Sequence, residues 1–168
     1  MRDSELEDEL YQWIKENNLP EPNISKQEKE YIREYKIGNK IAEIGSTMKD
    51  WYYNLHHVYK VIDCVVFISS TPRRVWILEF KKEPNFEAIG QALVYKTLFK
   101  IEHPEYKEVK AGIVSKEGHP LCEIASVISD LEISFFKQSQ LSNWNDFIQR
   151  VISWYKFNRA RAEEEARE

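Results

Sequence analysis

Asp63 and, sixteen positions on, the triplet Glu79-Phe80-Lys81 place two carboxylates and an ammonium inside otherwise apolar runs. Val61–Ile68 and Val75–Lys81 are rich in β-branched and aromatic residues and read as buried strands. Ser69-Ser70-Thr71-Pro72-Arg73-Arg74 between them is polar and short, as in a hairpin. An ionised carboxylate in such a strand costs several kcal/mol unless it is paired or coordinates a metal. Asp63 and Glu79 are oxygen donors of the type Mg²⁺ or Mn²⁺ prefers, and the Phe80 carbonyl adds a third candidate ligand. Glu79 and Lys81, two apart on a strand, share a face, so Lys81 can orient the attacking water or stabilise a phosphoryl transition state. Phe80 points the other way, into the core.

The elements that must position these groups follow from the rest of the chain. Ser4 with Glu7 reads as a capping box opening a helix to about Asn17, and Leu19-Pro20-Glu21-Pro22-Asn23 as a loop. Ser25 with Glu28 reads as a second capping box, opening a helix to about Gly45. Strands are expected at Trp51–His56, Tyr59–Ile68, Val75–Lys81, Val109–Ser115 and Leu131–Phe136. Helices are expected at Phe86–Ile101, Pro120–Ser129 and Ser142–Asn158. Early hairpins followed by helical crossovers predict an α/β protein with a mixed central sheet and helices on both faces. One domain is expected, with 1–24 as a helical extension, 25–137 as the core, and 138–168 as a closing helix and charged tail.

The helix after the third strand carries Gln91 and Tyr95, four apart and so on one face, at the rim of the stripe Ala88, Ala92, Phe99. They contact substrate or Lys81, or else form the half-buried edge of the core. In the expected 25–45 helix, Glu34 lies on the stripe of Tyr31, Tyr35, Gly38 and Ile41. It is the favoured additional carboxylate; Glu43 replaces it if the helix stops near Gly38.

Ile62-Asp63 followed by Glu79-Phe80-Lys81 resembles the signature of the PD-(D/E)XK nuclease superfamily, and Gln91-Ala92-Leu93-Val94-Tyr95 resembles the Q-x-x-x-Y motif of its RecB-like branch. The resemblance covers roughly residues 28–137. It implies a restriction-endonuclease-like αβββαβ core and a Mg²⁺- or Mn²⁺-dependent nuclease. Asp63, Glu79, the Phe80 carbonyl and Glu34 would hold the metal, with Lys81, Gln91 and Tyr95 catalytic. DNA, branched or duplex, is the implied substrate. Ile62 stands where the signature has proline, and the cysteines of the iron–sulfur subgroup are absent. A non-catalytic DNA- or protein-binding module on the same fold, or a purely structural ion cluster, are the alternatives.

Composition narrows the classes. The net charge is −4, with ten Asp/Glu against five Lys/Arg in residues 1–34 and nine Lys/Arg against six Glu in 71–116. The second segment is a basic surface for a polyanion or a solvated mixed face. Cys64 and Cys122 are too few for a four-cysteine metal site and read as buried thiols. No apolar run approaches ~20 residues and the N-terminus is acidic, so an intracellular, soluble, non-membrane protein is expected. There is no Gly-rich phosphate loop, G-x-S-x-G elbow or H-E-x-x-H motif. His56 and His57, adjacent on a strand, cannot chelate one ion. His103 sits in a loop; His119, also beside a proline, and Ser115-Lys116 lie near the end of the fourth strand. Trp51, Tyr52 and Tyr53 stack on bases or serve the core. Trp144, Trp154 and Tyr155 of the closing helix serve a homodimer interface or pack on their own domain.

Overall fold

The computed structural model describes residues 3–45 and 60–167. Its elements are α1 (Asp3–Glu16), a 3₁₀ turn (Lys26–Glu28), β1 (Lys29–Ile37), α2 (Asn39–Gly45), β2 (Lys60–Ile68) and β3 (Arg74–Lys81). They continue with α3 (Phe86–Glu102), β4 (Glu108–Glu117), α4 (Pro120–Ile128), β5 (Ile133–Ser139) and α5 (Trp144–Glu165). The five strands lie in sequence order. β1–β2–β3 pair antiparallel, β2 and β3 through a short link, whereas the crossovers through α3 and α4 make β3–β4–β5 parallel. The result is an α/β protein with a mixed sheet. The expected strand at Trp51–His56, and with it Trp51, Tyr52, Tyr53, His56 and His57, lies outside the described residues.

β3 shows why its sequence is continuously apolar: both of its faces are covered. Trp76, Leu78 and Phe80 pack with Leu10 and Ile14 of α1, while Val75 and Ile77 pack with Phe99 of α3. α1 therefore occupies one face of the sheet and α3 the other. The segment 1–24, expected as an extension, supplies the helix that covers the first face. Ala88, Ala92, Ala111 and Ile113 continue the second face, where small residues let α3 approach the strands.

Residues 25–45 do not form the expected helix. Tyr31 and Tyr35 are four apart, a spacing that fits one turn of helix and two pleats of a regular strand equally, although here they end on opposite faces of the sheet, Tyr31 with α1 and Tyr35 with α3. Long-range pairing with β2 decides for the strand. The Ser25 hydroxyl does meet the Glu28 carboxylate at 3.0 Å, yet this pair opens only the 3₁₀ turn. The loop before β1 is fixed by buried polar contacts. Glu21 takes hydrogen bonds from Arg74 Nε and from Trp76 Nε1 at 2.7 Å. Lys29 donates to the carbonyls of Asn18 and Glu21, both at 2.6 Å. Burial pushes the Glu21 carboxyl up, but Arg74 and Trp76 outweigh it and hold it below its ordinary value.

The closing helix is longer than expected and runs to Glu165, its charged end held by Arg159–Glu163 and Arg161–Glu165 pairs. Trp144 is buried with Ile148, Ile152 and Ile124. Of the two tryptophans expected at an interface, only Trp154 is exposed. Both cysteines are free, buried thiols. Among the described residues, no helix is long and apolar enough to cross a membrane.

Candidate active site

β2 and β3 are paired from Ile68↔Arg74 as far as Cys64↔Leu78 and then part. Beyond that point Glu79, Phe80 and Lys81 remain bonded only to β4, opposite Ile113, Val114 and Ser115. Asp63 fills part of the gap, its Oδ2 accepting the Phe80 amide hydrogen at 2.8 Å.

The parting coincides with a break in the pleat. Residues two apart on a strand should share a face. Yet Arg33 lies over the Tyr11 ring of α1, whereas Tyr35 meets Phe99 and His103 on the α3 side. On β2, Ile62 belongs to the α3 side and Cys64 to the α1 side. The pairs Arg33↔Cys64 and Tyr35↔Ile62 bracket the switch, which leaves Glu34 and Asp63 across from one another at its centre. Glu34 has φ of 50°. Such a conformation costs a non-glycine residue about 1–2 kcal/mol and persists where surrounding structure enforces it.

A cavity of about 490 Å³ opens there, lined by Asp63, Glu79, Phe80 and Lys81 from the strands, Gln91 and Tyr95 from α3, and Asp3 and Glu7 from α1. Lys82, Glu83 and Asn85 form its rim on the β3–α3 link. Asn85 is fixed there as the α3 cap, its Oδ1 accepting from the Ala88 amide at 2.8 Å. The structure thus brings together Asp63, Glu79, Lys81, Gln91 and Tyr95.

Glu34 and Glu43 stand outside this group, although Glu34 lies across from Asp63 and its charge helps raise the Glu7 carboxyl. Glu34 is an exposed residue of β1, and Glu43, on the short α2, is exposed and 3.4 Å from Lys40. Neither lines the cavity. The carboxylates that α1 brings to the cavity wall are Asp3 and Glu7. Glu7 extends the buried stripe of Leu10 and Ile14 by three and seven residues, a spacing legible in the sequence. The capping-box reading of Ser4 and Glu7 hid it; the helix already includes Asp3.

Burial defines the electrostatics. Glu79 is 3% exposed, and its Oε1 is buried with no hydrogen-bond partner. Desolvation first, and the Asp63 carboxylate second, push the Glu79 carboxyl far above its ordinary range, with Lys81 pulling weakly the other way. The Tyr95 hydroxyl is raised by burial and then by Glu79 and Asp63. Glu7 is raised by burial and by Asp63, while Arg33, 3.8 Å away, opposes the rise. Arg33 also pairs with Asp8, which anchors this corner of the cavity to α1.

Comparison with family models, curated proteins and solved structures finds no match. The chemistry therefore rests on the site. Asp63 and Glu79 offer carboxylate oxygens and Phe80 a backbone carbonyl, which fits a hard divalent cation that keeps most of its waters. The orphaned Glu79 oxygen is the feature that such a cation would satisfy. Among the described residues no cluster of three or more His, Cys, Asp or Glu stands at ligating distance, so the arrangement is no all-protein cage.

Two neighbouring features differ from expectation or compete for attention. Within the basic segment 71–116, Arg74, Lys96 and Lys116 pair with Glu21, Glu132 and Glu9. A cavity of about 510 Å³ at the hairpin end is lined by Tyr35, Phe67, Arg73 and Tyr106. Its buried cation, Lys29, is already held by the Asn18 and Glu21 carbonyls.

The position of Glu34 yields a direct prediction. Its φ needs no Cβ and its carboxylate lies outside the cavity, so Glu34→Gly should keep the activity proposed below and change stability by no more than about 1 kcal/mol, since glycine accepts positive φ. Glu34→Val should cost about 1–3 kcal/mol. Urea titration of both variants reads the difference; equal stability of the two would show that the φ is not enforced.

Proposed function

We propose that the protein is a Mg²⁺- or Mn²⁺-dependent phosphodiesterase of the PD-(D/E)XK type acting on nucleic acid, with DNA as the substrate. The observation that carries this reading is the buried Glu79 with an unpartnered oxygen beside Asp63, in one cavity with Lys81, Gln91 and Tyr95. The order of α1, three antiparallel strands, α3 and a parallel β4 supports it, since an αβββαβ core is what the sequence resemblance implies.

In this reading Asp63, Glu79 and the Phe80 carbonyl hold the cation, which supplies Lewis acidity and a nucleophilic water. Asp63 is oriented by the Phe80 amide. Lys81 stands on the same strand face as Glu79 and offsets the charge that grows on the phosphoryl oxygens. Gln91 and Tyr95 contact the phosphate from α3, and Glu7 orients water from α1.

The test is incubation of plasmid, single-stranded and four-way-junction DNA with the protein in Mg²⁺, Mn²⁺ or EDTA. Cleavage in metal, none in EDTA, and loss of at least ~10²-fold in Asp63→Asn support the reading. Absence of cleavage, together with Mn²⁺ titration showing no binding, would leave Asp63, Glu79 and Lys81 as a structural ion cluster.

A further inference from the structure

The carboxylate cavity has a side chamber. A second cavity of about 330 Å³ is lined by Glu83, Pro84, Asn85, Phe86, His119 and Cys122. Glu83 and Asn85 also line the carboxylate cavity, so the two adjoin along the β3–α3 link. We propose that this chamber is a nucleobase subsite, in which an unpaired base next to the scissile phosphate stacks on Phe86 and presents its amino edge to Glu83. The inference rests on the phosphodiesterase reading and assigns its substrate class as unpaired nucleic acid.

Three observations support it. First, the Phe86 side chain is 71% exposed at the first position of α3, where the fold makes no packing use of it. A free aromatic face beside a phosphate-directed site is what base stacking needs, and stacking tolerates any base. Second, the polar groups suit a base edge better than a phosphate. The exposed Glu83 carboxylate lies 3.6 Å from His119 Nε2 and would repel a second phosphate, whereas it accepts from the exocyclic amine of cytosine or adenine. His119 Nδ1 is buried and has no hydrogen-bond partner within the protein, which leaves a polar group for a ligand to satisfy.

Third, the chamber is held in shape by main-chain and thiol contacts. The Glu117 amide donates to the Lys82 carbonyl at 3.0 Å, which keeps the link carrying Glu83–Phe86 beside the turn carrying His119. The Cys122 thiol donates to the Pro84 carbonyl at 3.6 Å across the floor. Pro84 and Cys122 are buried, so the walls do not have to be ordered by the ligand.

The experiment is steady-state cleavage of a single-stranded DNA oligonucleotide in Mn²⁺ by wild type, Phe86→Ala, Phe86→Trp and Glu83→Ala. Binding of an oligonucleotide containing 2-aminopurine, a base whose fluorescence is quenched by stacking, is measured beside it. Phe86→Ala is expected to raise KM about tenfold with little change in kcat, and to lose the quenching; Phe86→Trp restores both. Glu83→Ala is expected to erase a preference for oligo(dC) over oligo(dT). Wild type that cuts DNA while Phe86→Ala keeps its KM and its quenching overturns the subsite alone. A fall in kcat at constant KM also overturns it, since Phe86 would then act only through α3. Wild type that cuts no nucleic acid overturns the phosphodiesterase reading and this inference together.

Discussion

Lys81→Met lowers metal-dependent DNA cleavage by about 10²–10³-fold while Mn²⁺ binding stays within a few-fold of wild type. The expectation follows from where the ammonium sits. Lys81 closes β3 on the same face as Glu79 and lines the cavity with Asp63, yet it is half-exposed where Glu79 is buried. A group so placed can meet a substrate phosphoryl oxygen, whereas a cation that only neutralised the acids would be buried between them. Its influence on Glu79 ranks behind burial and Asp63. Removing it therefore changes the metal ligands little and the transition state much. Methionine keeps the length and packing of the stem. Cleavage assays and isothermal titration with Mn²⁺ check the two halves separately. Loss of both in proportion would mean that Lys81 acts through the acids alone; loss of neither would remove it from the chemistry.

The parts of the site that could be read from the sequence are those on locally determined elements. β2 and β3 are apolar on both faces, so Asp63, Glu79 and Lys81 stood out as charges in the wrong company, and their strand positions followed. Gln91 and Tyr95 were legible for the same reason: α3 has a clear cap at Asn85 and a clear stripe, so its polar rim could be placed.

What escaped was set by tertiary pairing. β1 is an edge strand whose Tyr31, Tyr35 spacing serves two periods, and only its bonds to β2 choose between them. A helix over 25–45 points to Glu34 and Glu43 as cavity carboxylates, whereas the helix that reaches the cavity is α1, with Asp3 and Glu7. The reversal of faces at Glu34 and Asp63 has no local signature at all, since neither residue type demands a positive φ. It is nonetheless what frees the Phe80 amide from the β2 ladder for Asp63. The second chamber was invisible because Phe86 and His119, 33 positions apart, are joined through a bond between two chain links, Lys82 and Glu117.

Glu79→Gln separates stability from function most sharply. Because burial and Asp63 raise the Glu79 carboxyl above its unfolded value of 4.5, the folded protein keeps a proton there that the unfolded chain releases. The stability this provides is fully present below about pH 4.5 and declines as pH rises toward the elevated folded value, near 9. Glutamine has the shape of the protonated acid and does not titrate. At pH 5 the variant should nearly match wild type, and at pH 8 in EDTA it should be more stable by at least about 1–3 kcal/mol, because unfolding of wild type then releases a proton and unfolding of the variant does not. Mn²⁺ reverses the order. Ligation needs the ionised carboxylate, so wild type releases a proton on binding and binds more tightly as pH rises. At about 100 times its Kd the metal adds roughly 2.7 kcal/mol to wild type and nothing comparable to the variant. Urea denaturation at pH 5 and 8, with and without Mn²⁺, reads all four corners. A variant less stable than wild type at pH 8 in EDTA would mean that Glu79 is ionised and paired in the folded protein, and the case for a cation at this site would lose its main support.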